Sequence, residues 1–360
     1  MLRVVHIDDK TGDALHHEAF RVTGARVLMQ HEITHGMICA SVFLEFAPMC
    51  EVNYVSLNDY SEYDMSFDAF AEALDLAIKM EPDLICMSIG STNYFCLEHI
   101  SKLIKQAAQK SIVMICACSN ENVVTYPASL HEVIGVRFYE DNSCLNGQYR
   151  IVDAPLDGIE MLVSLPRIHT VDFLAKSYNI AVGNSNSIAA QYAAAIACRH
   201  LQHKRFSKSE LLELIAKDAV TCSDVLAAFR TSYDPAPSVV VCYQCESEFT
   251  KSGIELQRLF LNDGYCCGIS GASLKTDLTN LCFNTRDFLS DADPLRSIID
   301  LAKLDIIIVA DEGDQKLLQN RVDVYIKDHC DNKISFPDDT LIISQAPARE
   351  LHSIIISTLT

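Results

Sequence analysis

Four side chains capable of acid–base or nucleophilic chemistry stand at the ends of apolar segments in this chain. Asp8 follows a short apolar run, and His35 begins an apolar stretch of helical character. Asn120 follows a second apolar run, and Ser187 lies in a small polar turn before an alanine-rich segment. They occur in the order Asp, His, Asn, Ser, separated by 27, 85 and 67 residues.

Together these residue types indicate acyl transfer. The hydroxyl of Ser187 is a poor nucleophile until an imidazole, here His35, accepts its proton, and a carboxylate must orient that imidazole and stabilise its cation. Asp8 fits this role better than Asp9, because strand alternation favours it. The amide of Asn120 can donate to the oxyanion of a tetrahedral intermediate, and a helix N-terminus at Ser187 adds a favourable dipole.

The elements that must position these residues alternate between buried strands and amphipathic helices. Short apolar runs of this kind are typical of parallel strands covered on both faces. The fold class predicted is a doubly wound α/β sheet. The strands are expected at Leu2–Ile7, Arg26–Gln30, Glu51–Leu57, Leu84–Ser88 and Ile112–Cys118, and the helices at Ser66–Met80, Leu97–Lys110 and Ala189–Arg199.

A second, smaller α/β domain is expected after a linker at Tyr233–Pro237. The domains predicted are 1–232 and 238–360. In the second, strands are expected at Ser238–Cys242, Tyr265–Ile269, Leu304–Ala310, Val322–Ile326 and Leu341–Ser344, with helices at Gly253–Leu261 and Pro294–Ala302.

Six segments resemble, in order, motifs of the subtilisin-like serine proteases, or subtilases. Val4–Asp8 and His35–Ala40 resemble the family's Asp and His motifs. Pro82–Gly90 resembles A-D-V-I-N-M-S-L-G, Ala117–Glu121 resembles A-A-G-N-E, and Tyr126–Val136 resembles Y-P-A…V-I-G-V. Ser187–Ala189 aligns with the S-M-A of the serine motif G-T-S-M-A. The resemblance covers roughly residues 1–205.

The resemblance implies a serine endopeptidase with Asp8, His35 and Ser187 as its triad and Asn120 in its oxyanion hole. It also implies that Ser88, Ile89 and Gly90 pair with an extended peptide substrate, beside Ser119. No cofactor and no catalytic metal are expected. Two departures stand out: Ser185-Asn186 replaces the G-T before the nucleophile, and Ser119 replaces a glycine.

The composition of the chain excludes several classes of binding partner. The net charge of −19 argues against nucleic acid, which needs Lys and Arg, and against an anionic membrane surface. No apolar run reaches the roughly 18 residues of a membrane span, and the N-terminus does not read as a signal peptide. Fifteen cysteines without an export signal indicate a cytoplasmic protein with reduced thiols. A peptide or protein substrate is expected, and leader-peptide removal is one candidate. The oligomeric state is not predicted.

Other interpretations compete with this one. His31–His35 spells H-E-x-x-H, a zinc-protease motif that requires one continuous helix; the apolar helix is expected only from His35 onward. Cys242 and Cys245 form a C-x-x-C without a matching second pair. The segment Cys245–Ser252 has the frame of a P-loop without its glycines, so the second domain resembles a P-loop fold that has lost nucleotide binding.

Two further alternatives stay open at this stage. An acidic stretch from Asp59 to Asp75 is expected to be a solvated helix face, or else a surface that attracts a basic peptide. The rival to an active enzyme is a catalytically inactive, peptide-binding protein on the same fold.

Overall fold

A computed structural model describes residues 1–8, 34–57, 67–121, 123–140, 146–153, 155–178, 182–201, 204–220, 238–243, 249–288, 293–310, 322–327 and 340–359. The chain forms two compact units, Met1–Arg230 and Thr231–Thr360. The predicted strand Arg26–Gln30, the linker Tyr233–Pro237 and Cys245 lie outside the described residues. None of the helices in the described ranges is both long enough and apolar enough to cross a membrane.

The first unit is built on a sheet whose strands are parallel except at one edge. The strands are β1 (Arg3–Asp8), β2 (Glu51–Ser56), β3 (Leu84–Met87), β4 (Val113–Ala117), β5 (Ile134–Phe138), β6 (Tyr149–Ile151) and β7 (Met161–Val163). Their order is β2-β1-β3-β4-β5-β7-β6, and only β6 runs antiparallel to its neighbour β7. β3 and β4 are buried along their whole length, as expected for parallel strands with both faces covered.

The helices of the first unit are α1 (His35–Phe46), α2 (Phe67–Lys79), α3 (Leu97–Gln109), α4 (His169–Tyr178), α5 (Asn186–Leu201) and α6 (Lys208–Ala216). α5 packs against α1 and against β3, β4 and β5, because its alanines allow its backbone to approach the sheet closely. It begins three residues earlier than predicted, so Ser187 lies within its first turn. On α2, Asp68 and Glu72 are exposed, which fits both interpretations of the acidic stretch; its part before Phe67 lies outside the described residues.

A lysine joins the start of α6 to the sheet. The ammonium of Lys208 donates to the carbonyls of His131 (2.6 Å) and Val133 (2.7 Å) and to the carboxylate of Glu160. The second oxygen of that carboxylate accepts from the backbone N–H of Gly135 in β5 (3.1 Å). Lys208 and Glu160 are both more than four-fifths buried, so each charge depends on the other for the solvation that it has lost.

The second unit contains its own parallel sheet. Its strands are β8 (Val239–Tyr243), β9 (Cys267–Ser270), β10 (Cys282–Phe283), β11 (Ile306–Ala310), β12 (Val324–Lys327) and β13 (Leu341–Ser344), in the order β10-β9-β11-β8-β12-β13. Its helices are α7 (Ile254–Asn262), α8 (Pro294–Ala302) and α9 (Ala348–Leu359).

The P-loop interpretation of this unit stays a prediction. β8, which leads into the P-loop-like segment, lies directly beside β11, the strand that precedes Asp311. Only the end of that segment is described, and there Phe249–Gly253 forms a π-helical turn ahead of α7.

Replacement of Lys208 by methionine tests the ion pair. We expect Lys208→Met to lower the free energy of unfolding by about 3–5 kcal/mol at pH 8, because it leaves a buried carboxylate unpaired. Burial already raises the pKa of Glu160, against the opposing effect of Lys208. The loss should therefore be smaller near pH 5, where an unpaired Glu160 takes up a proton. Urea denaturation at both pH values measures the difference.

Lys102→Met is the matched control for this prediction. Lys102 pairs with Glu98 four residues away, and both side chains are largely exposed. Removing such an exposed pair should leave the free energy of unfolding nearly unchanged. Equal effects of the two variants would contradict the role given to Lys208.

Candidate active site

Asp8 and His35 form a direct hydrogen bond. Asp8 is the last residue of β1 and is 1% exposed, and its Oδ1 lies 2.8 Å from Nδ1 of His35. The side chain of His35 is 41% exposed. A carboxylate at this position holds the proton on Nδ1 and leaves Nε2 as the basic atom of the imidazole.

The position of His35 follows from a helix cap. Thr34 has an extended backbone, and its side-chain oxygen accepts from the N–H of Met37 (3.3 Å), as an N-cap residue does. α1 therefore begins at His35. The H-E-x-x-H segment is not one continuous helix, which confirms the expectation that weighed against a zinc site; His31 itself lies outside the described residues.

Ser187 is held in the first turn of α5. Among the described residues, its hydroxyl donates to the backbone carbonyl of Ser88 (3.4 Å) rather than to His35. Ser185 accepts from the N–H of Ile188 (3.4 Å) and so caps the helix where the resemblance places a glycine. Gly183 has an ordinary φ, and a Cβ there would meet nothing within 4 Å. The turn thus depends on the serine cap and not on that glycine.

Ser88 links Ser187 to His35 through Cys39. The carbonyl of Ser88 accepts from Ser187, while its hydroxyl donates to Sγ of Cys39 (3.5 Å). That sulfur lies 3.8 Å from both ring nitrogens of His35. The segments that carry Asp8, His35 and Ser187 therefore converge on one small region at the carboxyl ends of β1 and β3.

Asn120 lies after β4 and is exposed. Its Oδ1 accepts from the backbone N–H of Asn186 (3.4 Å), the residue before Ser187. This contact engages the oxygen of the amide and leaves Nδ2 as its donor. One such donor, aimed at a developing oxyanion, contributes about 3–4 kcal/mol to the stability of a transition state.

The segment expected to bind substrate follows β3. Ser91 and Tyr126 exchange two backbone hydrogen bonds (2.7 and 2.8 Å), which fixes the end of this segment. A Cβ on Gly90 would lie 2.7 Å from Thr125 Cγ2 and 3.0 Å from the carbonyl of Tyr126, so only glycine fits. Ile89 is buried, and the N–H of Ser119 donates to the hydroxyl of Thr125 (2.9 Å).

Sequence reasoning missed three side chains that surround these residues. Cys39 and Gln191 each lie one helical turn after a predicted catalytic residue, and this i+4 spacing was a signal that could have found them. Gln191 is fully buried, and its Nε2 donates to the hydroxyl of Ser88 (2.7 Å). The third is Asn186, which was noted only as a departure from the family's pattern.

Asp8, His35 and Cys39 also offer three potential metal ligands within 4.8 Å of one another. The hydrogen bond between Asp8 and His35 accounts for the proximity of two of them. Burial, and then the charge of Asp8, raise the pKa of the Cys39 thiol well above its usual range, so the sulfur is held in its protonated form. This cluster is therefore explained without assigning it a metal.

His6 lies beneath Asp8 on the same face of β1. It is 1% exposed, and its ring contacts Phe43 and Tyr54 at centroid distances of 4.8 and 5.4 Å. Burial lowers its pKa from 6.5 to about 4, although the charge of Asp8 opposes the shift. The imidazole is therefore neutral at pH 7.

His6 should make the fold sensitive to acid. The unfolded chain takes up a proton at His6 below pH 6.5 and the folded chain only below about pH 4, so stability is lost as the pH falls between these values. We expect His6→Val to reduce the loss of unfolding free energy between pH 7 and pH 4 by about 3 kcal/mol. Urea denaturation across this pH range measures the free energy of unfolding. His99→Gln, which replaces an exposed histidine, is the control. An unchanged pH dependence in His6→Val would contradict the assignment.

A comparison with protein families identifies one that matches this chain. The Peptidase_S8 model, described as the subtilase family, matches residues 7–273. The matched range extends beyond residue 205, where the resemblance seen in the sequence ends. No curated protein sequence matches the chain.

Several solved structures are similar to parts of the chain. A lanthipeptide protease is 16% identical, with 62% of this chain and 81% of that chain covered and a TM-score of 0.45. The self-cleaved protease domain of PatA is 17% identical, with 64% and 93% covered and a TM-score of 0.42. The epidermin leader peptide processing serine protease EpiP from Staphylococcus aureus is 12% identical, with 59% and 68% covered and a TM-score of 0.42.

The family match covers more than half of the chain, and its range contains Asp8, His35, Asn120 and Ser187. The chain therefore belongs to the subtilase family of serine peptidases.

Proposed function

We propose that the chain is an active endopeptidase that uses Asp8, His35 and Ser187 as a catalytic triad, with Asn120 in the oxyanion hole. The observation that carries this proposal is the convergence on Ser88. The carbonyl of Ser88 accepts from the hydroxyl of Ser187. The hydroxyl of Ser88 donates to the thiol of Cys39, which in turn lies against His35. The buried Asp8 completes the set through its bond to His35.

The reaction follows from these groups. The hydroxyl of Ser187 turns from the carbonyl of Ser88 to Nε2 of His35, which takes its proton as the oxygen attacks the scissile carbonyl. Asp8 stabilises the imidazolium, and Nδ2 of Asn120 donates to the oxyanion together with the backbone N–H at the start of α5. The imidazolium then protonates the leaving amine, and water releases the acyl group by the same steps.

The proposed substrate is a peptide bound in an extended conformation along Ser88, Ile89 and Gly90, with Ser119 beside it. Removal of a leader peptide is the finer form of this proposal, and the net charge of −19 favours a neutral or basic substrate. A cytoplasmic location stays a prediction. Each cysteine within the described ranges is a free thiol, and this supports a reducing compartment.

The first prediction for this function concerns the triad as a unit. We expect Ser187→Ala and His35→Ala each to reduce peptide hydrolysis by on the order of 10⁶-fold, because either loss disables the same proton transfer. Cleavage of quenched fluorescent casein measures the rate, and labelling by a fluorophosphonate reports the nucleophile directly. The exposed Ser209→Ala serves as control for the labelling.

This experiment also separates the two classes of function. Labelling that disappears in Ser187→Ala identifies an active serine hydrolase. Persistent labelling of Ser187→Ala would refute the assignment of the nucleophile. A folded protein that binds peptides but shows neither labelling nor hydrolysis would instead be the inactive, peptide-binding alternative.

The second prediction concerns the substrate-binding segment. We expect Gly90→Ala to lower kcat/KM for casein by about 10–100-fold, because its Cβ must displace the backbone of Tyr126 and shift the segment. Gly183→Ala is the matched control, since its Cβ enters open space, and its rate should stay within about twofold. Similar rates for the two variants would contradict the placement of substrate along this segment.

A further inference from the structure

Asn186 makes three hydrogen bonds at the point where three segments of the site meet. It is the first residue of α5 and is 6% exposed. Its Oδ1 accepts from the N–H of Phe138 at the end of β5 (2.7 Å), and its Nδ2 donates to the carbonyl of Ser119 after β4 (2.8 Å). Its own backbone N–H donates to Oδ1 of Asn120 (3.4 Å).

The carboxamide of Asn186 is suited to this position because it carries an acceptor and a donor on one rigid plane. Its two ends satisfy backbone groups of β5 and of the turn after β4. Both contacts lie in a poorly solvated region, where an unpaired backbone N–H or carbonyl is costly. A threonine, which the resemblance places here, has a single hydroxyl in place of this plane. The asparagine is therefore a specific feature of this chain.

The third hydrogen bond bears on the oxyanion donor itself. Asn120 is exposed, so its amide would otherwise rotate with little restriction. The N–H of Asn186 engages Oδ1 of Asn120, and the side chain of Asn186 holds the carbonyl of the preceding residue, Ser119. The backbone and the amide of the Ser119–Asn120 turn are thus both fixed by one residue.

We propose that Asn186 is a positioning residue for the oxyanion hole, which acts on the reaction only through Asn120. The proposal rests on the function proposed above. Asn186 holds the Ser119–Asn120 turn against β5 and the start of α5, so that Nδ2 of Asn120 stays available to the oxyanion beside Ser187. Without this plane, the Ser119–Asn120 turn is released from β5 and from the start of α5, and the hydrogen bond from the backbone N–H of Asn186 to Oδ1 of Asn120 is lost with it. The transition state then loses its donor for part of the time.

A double-mutant cycle on the full chain tests this role. The second-order rate of fluorophosphonate labelling at Ser187 is measured for the unaltered chain, Asn186→Ala, Asn120→Ala and the double variant, since the phosphoryl oxygen occupies the oxyanion hole as it reacts. We expect Asn120→Ala to slow labelling by about 100–1,000-fold and Asn186→Ala by about 10–100-fold. The double variant should label within about threefold of Asn120→Ala, because the two residues act in series.

Three results would overturn the proposal, and the first two concern the rate of labelling. One is labelling of Asn186→Ala within about threefold of the unaltered chain, and the other is a double variant whose slowing is the product of the single effects. The pH midpoint of labelling should not move in Asn186→Ala, because His35 and Asp8 are unchanged. A shifted midpoint would place the effect at the histidine and also contradict the proposal.

Controls separate positioning from folding and from the function itself. Asn184→Ala removes an exposed asparagine two residues away and should label at the unaltered rate. If Asn186→Ala shows no thermal unfolding transition, Asn186→Asp replaces it in the cycle, because it keeps the acceptor for Phe138 and removes the donor to Ser119. Labelling that persists in Ser187→Ala would refute the proposed function. If labelling depends on Ser187 and the cycle gives one of the contrary results above, only the role of Asn186 is refuted.

Discussion

The site depends on a carboxylate that has almost no contact with water. A charged group as buried as Asp8 loses several kcal/mol of solvation free energy. Hydrogen bonds at the end of β1 must compensate for this loss. His35 supplies one of them, and the N-cap at Thr34 keeps that histidine at the start of α1 rather than within it. The same charge favours the neutral thiol of Cys39. A single buried anion thereby orients His35 and sets the protonation of the thiol beside it.

Apolar runs and helical spacing were sufficient to predict most of the sheet that presents the site. β3 and β4 were predictable because strands covered on both faces have little choice of residue. β5, β6, β7, α4 and α6 were not predicted. β6 and β7 have only three residues each, which carry too little pattern. Asp8, His35, Asn120 and Ser187 were predicted through their motifs. Asn186 was not, because a hydrogen bond between residues 48 positions apart leaves no trace in local spacing.

Ser185 and Asn186 stand where the family has the pair G-T, and each has a local physical role. Ser185 caps α5 with its hydroxyl where a glycine would permit a freer turn, and Asn186 bridges backbone groups that a threonine would not span. These changes alter how the site is held together. Asp8, His35, Asn120 and Ser187 themselves match the family's motifs.

The ammonium of Lys208 illustrates a different way to satisfy a cluster of oxygens. Two carbonyls and a carboxylate that converge on a point would suit a dissolved cation, whose stabilising effect grows with its free concentration and vanishes when it is sequestered. A tethered ammonium has no dissociation equilibrium with the solvent. The contribution of Lys208 to the free energy of unfolding therefore does not vary with the concentration of free calcium or sodium. It is lost only when α6, the helix that carries the lysine, unfolds.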